Sequence, residues 1–260
     1  MAAKGIIVIA PSPYSLIATS ACELLMREGV QIQAVVIKKF SVNRFRQEFR
    51  RDGKRLLKKI WQKLVLKEKA YAEAAADNII NFRKEHNIEL KDLRHLKNTE
   101  ILSTDDLNGE DAIALLKKYE PTMCLFTGGG LIREQVLALA GKGVLNCHMG
   151  ILPRYKGMDV VEWPLLLNDK DNVGVTTHFM DKGVDTGRII AKEYIKPRAG
   201  ETITQLRRRF EPVMVKNLVQ STMDILNDMA EAWEQEDRGH QYFIMHPRLA
   251  EIAAENLKKS

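Results

Sequence analysis

Cysteine is scarce in this chain. The three that occur, at positions 22, 124 and 147, form no Cys-x-x-Cys and leave an odd count, which argues against a disulfide framework and for a reducing compartment. His86, His95, His240 and His246 show no metal-ligand spacing with one another or with the cysteines, so no metal site is expected. Long apolar runs are missing too. The opening strand-like run, Gly5–Ala10, is far too short to cross a bilayer, and nothing around it reads as a charged leader or cleavage site. No membrane span and no signal peptide are expected, and a cytoplasmic location follows. The turn after that run lacks Gly-x-Gly-x-x-Gly, so a dinucleotide site is not supported. Repeats and low-complexity tracts are absent.

What is present fits one large α/β domain of 260 residues with an ordinary apolar fraction of 45%. The formal charge of +6 is unevenly spread. Between Arg44 and Lys69 stand eleven Lys/Arg against three Asp/Glu, a net of +8, so the rest of the chain sums to −2. In this stretch Phe45, Phe49, Leu56, Ile60 and Leu64, with Leu57 and Trp61, recur at helical spacing. Three readings stay open: a helical insertion packed on the domain or on a second subunit, a basic helix on an anionic membrane surface, and a surface attracting a phosphorylated substrate or nucleic acid. Nucleic acid is the least supported, since no binding motif or set of aromatic platforms accompanies the charge.

The pattern along the chain predicts a doubly wound sheet. Gly5–Ala10 is a buried strand, Pro11-Ser12-Pro13 a turn, Ser15–Arg27 a helix closed by Gly29, and Ile32–Ile37 a second strand. A helix is expected over 70–85, a loop over 87–96, and a helix from Ser103 to Tyr119 capped by Thr104 or Asp105. The strand Pro121–Phe126 runs into Gly128-Gly129-Gly130-Leu131-Ile132. Glycines at the carboxyl end of a parallel strand let a ligand approach the backbone closely. A helix to Ala140 follows, then a strand, Val144–His148. Further on come helix Met158–Asn168, strands Val173–Met180 and Arg188–Ile195, a long helix Glu201–Trp233 with an acidic first turn, and a last helix Arg248–Lys258.

Chemistry concentrates around position 147. Side chains two apart on a strand face the same way, so Asn146 and His148 project together from the strand end. Cys147, between them, points into the core and is not read as a nucleophile. A Gly-flanked loop, Asp181-Lys182-Gly183-Val184-Asp185-Thr186-Gly187, can carry Asp185 back to them. An amide donor, a titratable ring and an acid suit a reaction in which a carbonyl oxygen becomes an oxyanion while protons move. His178, on the strand before the loop, is read as structural.

The run Asn146-Cys147-His148-Met149-Gly150-Ile151-Leu152-Pro153, followed by Asp181, Asp185 and Gly187, resembles the formyltransferase family. Its pattern is N-x-H-x-S-L-L-P and then D-x-x-x-D-x-G. The resemblance is close from about Thr122 to Pro197, looser over the first forty residues and absent from about 40 to 75. Gly150 departs from the motif serine. The resemblance implies a Rossmann-like, mostly parallel sheet with helices on both faces, a basic helical insertion at about 40–75 within a core of residues 1–200, and C-terminal helices over 201–260 packed on that core. It implies 10-formyltetrahydrofolate as formyl donor, with no metal, and catalytic roles for Asn146, His148 and Asp185. The folate would be lined by Gly129, Gly130, Leu131, Ile132, Asp181, Gly183 and Val184. It implies a small primary amine as acceptor.

An amino sugar on a nucleotide or lipid carrier is the favoured acceptor, because the C-terminal helices look too short for the barrel-like domain by which methionyl-tRNA formyltransferases grip tRNA. The Gly-Asn-Gly-Ser-Asn run of glycinamide ribonucleotide formyltransferases is absent, which argues against purine synthesis. A lipid-linked acceptor would give segment 44–69 a reason to lie peripherally on a membrane. A methionyl-tRNA-type enzyme without the usual extra domain, a formyltetrahydrofolate hydrolase and a non-catalytic folate binder are the alternatives.

Overall fold

The computed structural model describes residues 5–39, 77–236 and 239–259. The basic stretch 44–69, and with it the expected insertion, membrane and phosphate roles, lies outside the described residues. Seven strands form the main sheet: β1 (Gly5–Ala10), β2 (Gln31–Lys38), β3 (Glu100–Thr104), β4 (Met123–Phe126), β5 (Val144–His148), β7 (Gly174–Phe179) and β8 (Ile189–Tyr194). Their order is β3-β2-β1-β4-β5-β7-β8. The first five are parallel, while β7 and β8 run antiparallel to their neighbours. Two short strands, β6 (Tyr155–Gly157) and β9 (His240–Tyr242), pair in parallel apart from the sheet.

Strand alternation explains why both faces are covered. Ile6, Val8, Met123, Leu125, Leu145 and Cys147 point into one core, which α1 (Leu16–Arg27), α6 (Ile203–Leu226) and α7 (Pro247–Lys258) close. Ile7, Ile9, Cys124, Phe126 and Val144 point into the other, beneath α3 (Glu110–Tyr119) and α4 (Glu134–Leu137). The expected Rossmann-like sheet with helices on both faces is therefore what forms. Met214, Leu218, Ser221 and Ile225, four of the residues along α6, are buried. No helix of the described residues is long and apolar enough to cross a membrane.

Several boundaries differ from the sequence expectation, each for a local reason. Of the helix expected over 70–85, the part before Asp77 lies outside the described residues, and the described part is α2 (Ile79–Glu85). Asn78 is extended, and its side chain accepts the amides of Ile80 and Asn81, so the helix starts there. Ser103 and Thr104 belong to β3, and α3 starts after Gly109 instead of at residue 103. Leu93–His95 adds a short 3-10 turn inside the expected loop. The stretch Met158–Asn168 is helical only as α5 (Glu162–Leu166), because Asp159 takes a left-handed φ of 51°. α6 begins at Ile203 under a Thr202–Gln205 capping box. Glu201 therefore lies outside its first turn and pairs with Arg209. α6 stops at Leu226, so Trp233 is free to pair with β8 through Ile189.

Candidate active site

The strand order reverses at β1, whose neighbours are β2 on one side and β4 on the other. In open parallel sheets ligands bind at the carboxyl ends of the strands beside such a reversal. An open cavity of about 350 Å³ lies there. Phe126, Thr127 and Gly128 at the end of β4, Ile17 of α1, Asn146 to Met149 at the end of β5, and Arg207 of α6 are among its lining residues. Its remaining wall is largely apolar, with Met158, Val160, Met214 and Leu218. A second cavity of about 430 Å³ lies among α2, β8 and α6. Its Arg209 is tied to Asp77 and Glu201, and it brings together none of the expected site residues.

Asn146, His148 and Asp185 come together. The His148 ring is buried, and its Nε2 lies 3.0 Å from the Tyr155 carbonyl. A carbonyl only accepts, so this contact places a hydrogen on Nε2 and turns Nδ1 toward Asp185. Nδ1 is 3.5 Å from Asp185 Oδ2. That same oxygen accepts the Gly157 amide at 2.9 Å. Asp185 has a left-handed φ of 54°, a conformation Asp tolerates better than most residues.

His178, which the sequence reads as structural, stands in the same cluster. On the antiparallel β5–β7 ladder His178 is the direct partner of Asn146. Its Nδ1 lies 2.8 Å from the Phe179 carbonyl, which fixes the hydrogen there and leaves Nε2 an acceptor. Asn146 Nδ2 lies 3.3 Å from that Nε2 and donates to it. Burial, reinforced by the neighbouring His148, pushes the His178 pKa down against the pull of Asp185, so the ring is neutral at neutral pH. Asn146 thereby has one amide hydrogen engaged and a second to offer the cavity. No local signal marks His178, because its partnership with Asn146 depends on which strand pairs with β5 and in which register.

Cys147 sits on the opposite face in the core, where burial raises its thiol pKa to about 12. It cannot supply a thiolate. Gly150 is a packing requirement. A Cβ there would lie 2.7 Å from the Tyr155 carbonyl and 2.8 Å from His148 Nε2. Its turn is pinned by Thr176, whose hydroxyl donates to the Gly150 carbonyl and accepts from Leu152 N–H.

The residues expected to line the folate lie on two loops and do not line the cavity. Gly128, Gly129 and Gly130 all have φ near +130°, open only to glycine. Asn108 holds this loop through the Leu131 carbonyl and the Arg133 amide. Leu131 is 72% exposed and Ile132 is buried in the second core. Asp181 Oδ1 accepts from Gly183 N–H and the Thr186 hydroxyl, folding its own loop. Val184 is half-buried and Gly183 exposed. Among the described residues no group of His, Cys, Asp and Glu could hold a metal ion.

Fold and site together define a Rossmann-like α/β protein with an amide, two imidazoles and a carboxylate at the carboxyl end of its sheet. Residues 55–222 match the model of the formyl transferase family, and the chain belongs to that family. It is 30% identical over 165 residues to the methionyl-tRNA formyltransferase of Halothermothrix orenii, covering 63% of this chain and 52% of that protein. The chain thus spans about half the length of such curated relatives. Among solved structures, a 4-N formyltransferase from Francisella tularensis matches 98% of this chain and 87% of its own, at 15% identity and a TM-score of 0.60. A sugar 3N-formyl transferase, WlaRD, solved in the presence of dTDP and 5-N-formyl-THF, matches 98% and 79%, at 16% identity and a TM-score of 0.55.

Proposed function

We propose that this protein transfers a formyl group from 10-formyltetrahydrofolate to a primary amine, and that the acceptor is an amino sugar carried on a nucleotide or lipid. The observation that carries the reading is the convergence of Asn146, His148 and Asp185 beside a ligand-sized cavity in a chain of the formyl transferase family. The amine attacks the formyl carbon on N10, and the carbonyl oxygen becomes an oxyanion. Asn146, oriented by neutral His178, donates its second amide hydrogen to that oxygen. Asp185 Oδ1 faces the cluster 3.7 Å from His178 Nε2 and receives a hydrogen of the attacking amine. His148 takes that proton from Asp185 through Nδ1, carries positive charge while the oxyanion stands, and passes the proton to N10 as the bond from N10 to the formyl carbon breaks, so both side chains return to their starting forms.

The folate takes the loops at Gly129 to Ile132 and at Asp181, Gly183 and Val184, and the acceptor takes the cavity on β4, β5 and α6. The near-complete overlap with sugar formyltransferases of known structure supports the sugar acceptor. The second reading, a methionyl-tRNA substrate, is favoured by the sequence similarity to methionyl-tRNA formyltransferases.

The test follows release of tetrahydrofolate from 10-formyltetrahydrofolate by absorbance, with a panel of amino-sugar nucleotides, with methionyl-tRNA, and with no acceptor. Turnover that requires an amino sugar and disappears in His148→Ala supports the proposal. Turnover on methionyl-tRNA alone moves the protein to the second reading, and turnover without any amine makes it a hydrolase.

A further inference from the structure

The loop that carries Asp185 is held from outside by a segment that lies beyond the family match, which ends at residue 222. After α6 the chain turns back along β8. Trp233 and Ile189 exchange two backbone hydrogen bonds of 2.9 Å each. Two residues later the Gln235 side chain reaches the loop itself, and its Nε2 donates to the carbonyl of Asp185 at 2.9 Å and to that of Gly187 at 2.7 Å. Both amide hydrogens are therefore spent on the two carbonyls that flank Thr186. The chain then enters β9, which pairs with β6 through Gly157 and Tyr242. Gly157 in turn donates its amide to Asp185 Oδ2. The same stretch of chain thus reaches Asp185 twice, once at the backbone through Gln235 and once at the carboxylate through the β6–β9 pair.

We propose that Gln235 is a positioning residue for Asp185: its amide fixes the backbone of the Asp185 loop and so sets where the carboxylate stands relative to His148. Three observations support this beyond the hydrogen bonds. Asp185 is held at a positive φ that its own loop does not enforce, because Asp181 bonds to Gly183 and Thr186 and leaves the Asp185 carbonyl to Gln235. Gly187, the second carbonyl, is packed so closely on Phe179 that a Cβ would lie 1.9 Å from the Phe179 carbonyl, so the loop exit is already rigid. Gln235 therefore ties the movable residue to the immovable one. The His148–Asp185 separation of 3.5 Å is also just longer than a normal hydrogen bond, so a small backbone drift would break the contact. Gln235 touches neither the cavity nor any group that would react.

The proposal rests on the formyl-transfer reading for its kinetic arm but not for its structural arm. Gln235→Ala and Gln235→Glu are compared with the wild type; the second keeps shape and size but presents a carboxylate to two carbonyls. The first readout is amide hydrogen exchange at Gly157, whose N–H is bonded to Asp185 and not to Gln235. Both variants are expected to speed Gly157 exchange at least tenfold, while Ile7 and Leu125 in the central strands stay protected and the melting temperature moves little. The second is turnover of 10-formyltetrahydrofolate with the amine that supports the wild type. There kcat is expected to fall ten- to a hundredfold with the KM for the folate within threefold. Unchanged Gly157 exchange in both variants overturns the proposal. So does a loss of protection spread over the whole β6–β9 pair and α6, which would make Gln235 an ordinary strut. A wild type that turns over with no amine sinks the formyl-transfer reading alone, and Gly157 exchange still decides the role of Gln235.

Discussion

The two halves of the candidate site are held in different ways. Asn146, His148 and His178 ride on β5 and β7, where the antiparallel ladder sets their spacing and facing and no further device is needed. Asp185 rides on a loop at a left-handed φ. Its position is imported from Gly157 at the carboxylate and from Gln235 at the carbonyl. A strand position is accurate because its neighbours in the sheet are accurate. A loop position is only as accurate as the contacts brought to it.

The largest effect should come from removing the reacting groups, and it should be similar on the two halves. Asn146→Ala, His148→Ala and Asp185→Asn are each expected to lower kcat by a factor of about 10² to 10³, roughly 3–4 kcal/mol in the barrier. Steady-state kinetics with the amine that supports turnover would measure it. The comparison would break if Asp185→Asn were nearly silent, since the loop would then be structural only.

Restoring the family serine should come next. Because the strand and its turn cannot give, Gly150→Ser drives its Cβ against the Tyr155 carbonyl and His148 Nε2. We expect a loss of about 1–3 kcal/mol of stability from overpacking, and a fall in kcat of at least tenfold as His148 is displaced. Chemical denaturation and kinetics on the same preparation would show both. An equally stable, active variant would mean that the turn is softer than its Thr176 anchors indicate.

This contrast also explains what could be read from the sequence. Of the parallel strands, β1, β2, β4 and β5 were legible as short runs bounded by turn residues, whereas β3, with Glu100 at its start and Ser103-Thr104 at its end, is not an apolar run and its end reads as the start of a helix. Asn146 and His148 were legible because period two puts them on one face. His178 obeys the same rule, but its partnership with Asn146 depends on which strand pairs with β5 and in which register, and that is decided by the assembled sheet. The β6–β9 pair was hidden for a similar reason. Tyr155–Gly157 and His240–Tyr242 are three residues each, and their pairing joins segments far apart in the chain. Gln235 carried no local signal, since a lone glutamine in a polar stretch looks like surface. The helix of α6 was over-extended to Trp233 because the sequence beyond Leu226 shows no proline or glycine to stop it.

A smaller effect is the pH dependence that buried His178 gives to stability. His178 is kept neutral by burial, with its pKa below the ordinary value of 6.5, whereas an unfolded histidine takes up a proton near 6.5. The unfolded state then binds more protons, so the contribution of His178 to stability is complete above about pH 6.5 and is lost progressively as the pH falls toward the folded value. Each unit of depression is worth about 1.4 kcal/mol. Denaturation midpoints from pH 7.5 to 4.5 should fall in the wild type and fall less steeply in His178→Gln, which keeps an acceptor for Asn146. Parallel slopes would show that other groups control the acid limb.

The smallest expected effect lies within the loop. Asp181 Oδ1 takes one backbone and one side-chain hydrogen bond, from Gly183 and Thr186, and is half-buried. Asp181→Ala should cost about 1 kcal/mol per bond at most, because both donors can turn to water. If Asp181 only shapes the loop, kcat should stay within a few-fold because Gly157 and Gln235 still hold Asp185, and the affinity for tetrahydrofolate measured by calorimetry should stay within threefold. If Asp181 also touches the folate, that affinity should drop tenfold or more, with kcat at saturation little changed. Thr186→Val removes one of the two loop bonds and leaves the Asp181 carboxylate in place, so it should reproduce the first pattern and never the second. The pair of variants therefore separates a loop that Asp181 only shapes from a loop that also grips the donor.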